Sequence, residues 1–139
     1  MLKNGNAGSW RGYYDDGEKF LKAATVPGKK RVFSAEIVYN VLCMAVEKYF
    51  MAFFVFNKTM PDNHTMKDLV ESAERIAPVS VPLKSNMLFL DGFQNICAIS
   101  SYKRIIPDAA DMERIIRTGF MAKEFADNAL NGGGEKERG

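Results

Sequence analysis

The stretch EKYFMAFFVFNKTMPDNHTMKDL, residues Glu47 to Leu69, decides how this chain folds. It runs from a nearly all-apolar segment through a break at Pro61, Asp62 and Asn63 to the only histidine, His64. Upstream, the apolar pattern extends back to Ser34, a residue suited to cap a helix N-terminus. The segment therefore reads as one helix from Ser34 to about Asn57. Its polar residues Glu36, Asn40 and Glu47 share a narrow stripe, and a helix apolar around most of its circumference is buried on several sides. Such a helix is either the centre of a bundle or part of a subunit interface. Tyr49, Phe50, Phe53, Phe54 and Phe56 crowd its last turns, more aromatic surface than one interior face takes, so some should meet another subunit or line a small pocket.

Outward from this stretch, four more helices follow and no strand. Trp10, Tyr14, Gly17, Leu21 and Ala24 recur at steps of three and four, and VPGKKR ends that first helix. Past NKTMPDN, a loop by its Pro, Asp and Asn, a third helix runs from about His64 to Ile76. Met66, Leu69, Val70, Ala73 and Ile76 make its buried stripe, and Lys67, Glu71 and Arg75 ladder the outside. APVSVP stops it, and Pro82 suits the first turn of a fourth helix through NMLFLDGFQNICAISSY. After RIIPD, Asp108 caps a fifth helix to about Leu130, with Asp111 in its first turn. Its inward face is Met112, Ile115, Ile116, Gly119, Ala122, Ala126 and Leu130. The short connections predict an all-α fold, an antiparallel up-and-down bundle of about five helices. Residues 10–131 form the single domain, between a flexible N-terminus at 1–9 and a disordered polar tail at 132–139.

Composition sets the outer limits. At 139 residues the chain is one domain, long enough to need neither disulfide nor metal for its core. With 47% hydrophobic and 26% charged residues it has an ordinary globular composition. The net charge of +2 excludes a uniformly basic nucleic-acid binder, so any such contact comes from a local patch. Charged residues interrupt the apolar helix before about 18 apolar residues accumulate, and the N-terminus has no apolar core of signal-peptide length, which predicts a cytoplasmic protein without a membrane span. Cys43 and Cys97 lie within apolar helical pattern, as in a reduced compartment, and the sequence leaves open whether they pair.

The order of motifs resembles the HEPN family of small helical bundles. That family pairs an apolar helix carrying Glu-Lys near its middle with a His-x-x-x-Asp-Leu entry to the next helix, matched here by Glu47, Lys48, His64, Asp68 and Leu69. The segment AISSYKRIIPDAADMERIIRTGFMAKEFADNAL resembles its closing part, where a Tyr and an Arg precede a Pro-Asp turn and a last helix. The resemblance implies a homodimer associated with a nucleotide or RNA, often paired with a minimal nucleotidyltransferase in a toxin–antitoxin system. Members that cleave RNA carry an Arg followed four to six residues later by a His. Arg104 is present here, and no His follows it. The expectation is accordingly a non-catalytic protein, with ribonuclease activity or a plain interaction scaffold as the alternatives.

Candidate site residues follow from both lines. Lys103 and Arg104 precede the Pro107 turn, and Arg114 and Arg117, three apart, share a face of the last helix. Such a cluster grips phosphate through charge-assisted hydrogen bonds, and Tyr102 could stack on a base. Against this stands a solvated rim paired to Asp108, Asp111 and Glu113. A second basic run, Lys29, Lys30 and Arg31, precedes the long helix. His64 reads first as the opening of a helix capped by Asp62 or Asn63, second as a ligand contact, and last as a base oriented by Asp68. No cofactor and no metal set is expected, because a di-metal bundle draws on Glu-x-x-His pairs that one histidine cannot supply.

Overall fold

A computed structural model describes the backbone of residues 2–25, 34–99 and 107–138, and the side chains of 10–25, 34–93 and 107–131. Five helices make up the described fold: α1 (Leu2–Ala24), α2 (Ala35–Phe56), α3 (Met66–Glu74), α4 (Val81–Ile99) and α5 (Ala109–Arg138). Contacts fix their directions. Trp10 meets Phe56 and Gly17 meets Tyr49, so α1 and α2 are antiparallel. Tyr14 reaches Asp127 and Leu21 reaches Gly119, so α5 is antiparallel to α1 as well. It therefore runs parallel to α2, with Leu42 beside Gly119 and Phe50 and Phe53 on Phe125. Asn86 against Met121 and Phe89 against Arg114 make α4 antiparallel to α5. The long helices alternate in direction along the chain, as expected for an up-and-down bundle, and α3 is a short cover inserted between α2 and α4.

The crowded aromatics of α2 all find places inside this one chain. Tyr49, Phe50, Phe53 and Phe54 are buried, and Phe56 is half-buried edge-on to Trp10. Phe50 stacks on Phe125 with ring centroids 4.9 Å apart. The expectation of a second subunit or a pocket for them is overturned, because α1, α5, α3 and α4 together surround α2 where a single neighbour could not. Full burial of such a side chain stabilises by roughly 1.5–3 kcal/mol, so this helix carries much of the core energy. Among the described residues α2 is the one helix long and apolar enough to cross a bilayer, and its place at the bundle centre accounts for that composition.

Local chemistry sets the ends. Ser34 caps α2 by accepting from the Ile37 amide at 3.3 Å. At the other end Lys58 adopts φ 57°, the left-handed region, while the Lys58 and Thr59 amides donate to the Val55 and Phe54 carbonyls, both at 3.0 Å. This is the Schellman closure, with lysine where glycine is usual. Helix α3 begins at Met66, two residues later than expected, with Thr65 as its cap in place of Asp62 or Asn63. Thr65 accepts from the Asp68 amide and donates to the Asp68 carboxylate, each at 3.0 Å, a reciprocal arrangement that earlier residues cannot reach. Ser80 caps α4 through the Leu83 amide, which leaves Pro82 in the first turn. Asp108 and Asp111 cap α5 reciprocally at 2.8 and 3.2 Å.

Other boundaries differ. α1 starts at Leu2 in place of about Trp10, and α5 continues to Arg138 in place of about Leu130. Extending an established helix fixes one residue per added hydrogen bond, so composition marks such ends poorly. Ile76 is exposed although the α3 periodicity placed it inside, because the helix has already ended at Glu74. Arg75 leaves the expected outer ladder to bind Asp62 at 2.8 Å, while Lys67 and Glu71 remain paired.

Candidate functional site

The basic candidates gather where α4 passes the start of α5. Arg114 projects from the second turn of α5 toward α4. Its Nε donates to Asn86 Oδ1 at 2.8 Å, one Nη2 proton reaches Ser85 Oγ at 3.3 Å, and the guanidinium lies 4.2 Å over the Phe89 ring. Asn86 is buried, and its amide donates in turn to Met121 Sδ at 3.3 Å. Both ends of that amide are thus engaged. A guanidinium on an aromatic face gains cation–π attraction as well as hydrogen bonds. Arg117, one turn on, is exposed. Among the described residues no carboxylate pairs with either arginine. Asp108 and Asp111 are turned to each other's backbone amides at the helix N-terminus, where the helix dipole favours their charge. Among the described residues, the rim pairing expected of these acids with Arg114 and Arg117 is therefore not formed. Tyr102, Lys103 and Arg104 lie outside the described residues, as do Lys29, Lys30 and Arg31.

His64 belongs to a different part of the molecule. Its Nδ1 lies 2.7 Å from Glu47 Oε2, with the imidazole half exposed. Glu47 takes the orienting place expected of Asp68, which is occupied by Thr65. The contact pins the loop before α3 to the middle of α2, and no described contact joins it to Arg114 or Arg117. The Glu47 and His64 positions that carry the HEPN resemblance are therefore in direct contact.

A polar network absent from the sequence reading ties α1, α2 and α5. Lys123 Nζ donates to Tyr14 Oη at 2.8 Å and to Glu18 Oε2 at 3.1 Å, and pairs with Asp127 Oδ2 at 3.3 Å. Tyr14 donates to Asp127 Oδ1 at 2.5 Å, and Tyr49 donates to Glu18 Oε1 at 3.0 Å. Burial, and then the bond to Asp127, raise the Tyr14 pKa. Burial, reinforced by Glu18, raises that of Tyr49. For Lys123 burial acts against the charge, but bonds to Tyr14 and Glu18 and the charge of Asp127 outweigh it and raise the pKa. Raised phenols and a firmly protonated lysine are poor nucleophiles and bases at neutral pH, so the network reads as structural. The i, i+4 pairs Tyr14–Glu18 and Lys123–Asp127 on facing helices are the sequence signal that could have found it.

Protein-family models, curated proteins and solved structures yield no match to this chain. Two shallow clefts flank the sites above. One of about 430 Å³ lies between the α3–α4 connection and α5, with Leu83, Met121 and Phe125 in its walls. The other, of about 370 Å³, lies between α1 and α5 beside Tyr14 and Asp127. Among the described residues no group of three or more His, Cys, Asp or Glu side chains is placed to hold a metal ion. Cys43 is buried and its thiol pushed up to about 12 by that burial, which makes it unreactive in the folded state. The side chain of Cys97 is outside the described residues.

Proposed function

We propose that this chain is a non-catalytic, HEPN-like cytoplasmic protein that binds the phosphates of a nucleotide or RNA at the α4–α5 edge. In this reading it acts as a homodimer and docks a nucleotidyltransferase-type partner, as one half of a toxin–antitoxin pair. The observation that carries the reading is Arg114, held by Asn86, Ser85 and Phe89 one turn from exposed Arg117. A guanidinium fixed in this way gives up little rotamer freedom on meeting an anion. Lys103 and Arg104, four and three residues before Pro107 in the sequence, are the further cations that this reading assigns to the ligand. The Glu47–His64 contact ties the imidazole to α2, and no described contact joins it to Arg114 or Arg117, so this reading gives His64 no part in gripping phosphate.

The test is a gel assay of purified protein with labelled single-stranded RNA and no metal, comparing wild type, His64→Ala and Arg117→Ala. Intact RNA is expected throughout. A mobility shift that fades as salt rises should be present in wild type and His64→Ala, and weaker in Arg117→Ala. Cleavage by wild type that His64→Ala loses would replace this reading with a metal-independent ribonuclease. Intact RNA with no shift at any salt would leave an interaction scaffold.

A further inference from the structure

We infer that Asn86 is a positioning residue that holds Arg114 as a phosphate fork, so that this edge of the bundle recognises phosphate and not base. The inference rests on the phosphate-binding reading above and narrows it to a ligand class. Sequence-specific recognition of single-stranded RNA needs either an aromatic face on which a base can stack or free donors and acceptors that match a base edge. Among the described residues of this edge, the aromatic face and the amide are already taken. The face of Phe89 is covered by the Arg114 guanidinium at 4.2 Å. The amide of Asn86, the side chain best suited to reading a base, is committed at one end to Arg114 and at the other to Met121. The Ser85 hydroxyl accepts from Arg114 as well. What remains outward is the rest of the Arg114 guanidinium and the whole of Arg117. These are donors without acceptors, which suits phosphate and leaves guanine, through its O6/N7 acceptor pair, as the one base edge that could compete.

Asn86 earns its role by geometry. It is one of three buried polar or charged residues among those described, and it touches Arg114 at Nε, the atom whose direction sets the plane of the fork. Without it the guanidinium would keep its charge and lose its fixed plane. Position and charge can therefore be separated by experiment, because the salt dependence of binding counts charges and the affinity at one salt also registers their placement.

The experiment measures fluorescence anisotropy of the full chain with a labelled uridine oligomer and a labelled alternating guanosine–uridine oligomer of equal length, over a range of salt. Wild type should bind the two with equal affinity within about twofold, since phosphate contacts carry no sequence information. Asn86→Ala should weaken both by about tenfold with an unchanged salt slope, the loss of one well-placed charge-assisted bond. Arg114→Ala should weaken both and lower the slope by about 0.7. In the wild-type protein the Arg114 side-chain NMR signals should move on adding either oligomer, a readout that stands even if Asn86→Ala does not fold. Wild-type affinity in folded Asn86→Ala, stationary Arg114 signals, or a tenfold preference for one oligomer would overturn the inference while leaving RNA binding intact. Failure of wild type to bind either oligomer would instead defeat the phosphate-binding reading, and this inference with it.

Discussion

Glycine has opposite consequences at different positions of this bundle. A Cβ on Gly119 would stand 2.9 Å from Leu21 Cδ1 and 3.0 Å from Leu42 Cδ1, and both leucines are buried with little room to retreat. Gly17 is similar, with the Tyr49 ring 3.1 Å from the same imagined atom and its hydroxyl held by Glu18. These two residues let α1, α2 and α5 approach closely. At Gly92, exposed on α4, nothing lies within 4 Å. Gly119→Ala should therefore destabilise by about 1 kcal/mol, as overpacking outweighs the gain in helix propensity. Gly92→Ala should stabilise by roughly 0.5–1 kcal/mol, because only the propensity term remains. Urea unfolding of the two variants beside wild type checks both signs. Gly119 was legible as an inward position from its spacing with Ile115 and Ala122. That it marks a three-helix contact was not, since that contact depends on α1 arriving from a hundred residues earlier in the chain.

At the scale of elements, α2 shows how a strong apolar pattern and a local cap specify different things. Its pattern places it at the bundle centre, and its end is decided by three residues. Lys58 bears the steric cost of the left-handed conformation so that two amides can close the last carbonyls. Lys58→Gly should relieve about 1 kcal/mol and raise the melting temperature without moving the helix end. A lowered melting temperature would show that the lysine stem packs to an advantage the backbone argument omits. The same division explains what the sequence revealed of the elements. Helix number, order and the inner faces of α1 and α5 were readable from periodicity. The start of α3 was misplaced because Asp62, Asn63 and Thr65 are all competent caps, and only Thr65 has Asp68 three residues on. The partner of His64 was missed for a related reason: Asp68 is nearer in sequence, but Glu47 is nearer in space.

For the whole molecule, the titrating groups of the core act in one direction. Tyr14, Tyr49, Lys123 and Cys43 all have folded pKa values raised above their ordinary ones. Each therefore holds its proton in the folded state at a pH where the unfolded chain releases it, and stability falls as pH rises. Thermal unfolding should show no pH dependence from these groups near neutrality, with stability declining from about pH 8 as the unfolded thiol ionises and more steeply above about pH 10 as phenols and lysine follow. Tyr49→Phe should make the decline shallower by removing one of the four. A melting temperature flat to about pH 11 would contradict the burial that raises Tyr14, Tyr49 and Cys43 and the bonds that raise Lys123. The candidate binding edge was partly legible at this scale. Arg114 and Arg117 were found by spacing, whereas Asn86, Ser85 and Phe89 belong to another helix and no periodicity of α5 could name them.

The single tryptophan, Trp10, lies edge-on to Phe56 at the end of α2, with the Arg11 guanidinium 4.5 Å from its ring. The chain thereby carries its own optical probe at one defined joint. Its emission should report the docking of α1 on the ends of α2 and α5, so fluorescence and far-ultraviolet dichroism together distinguish a bundle that opens at this end from one that melts throughout.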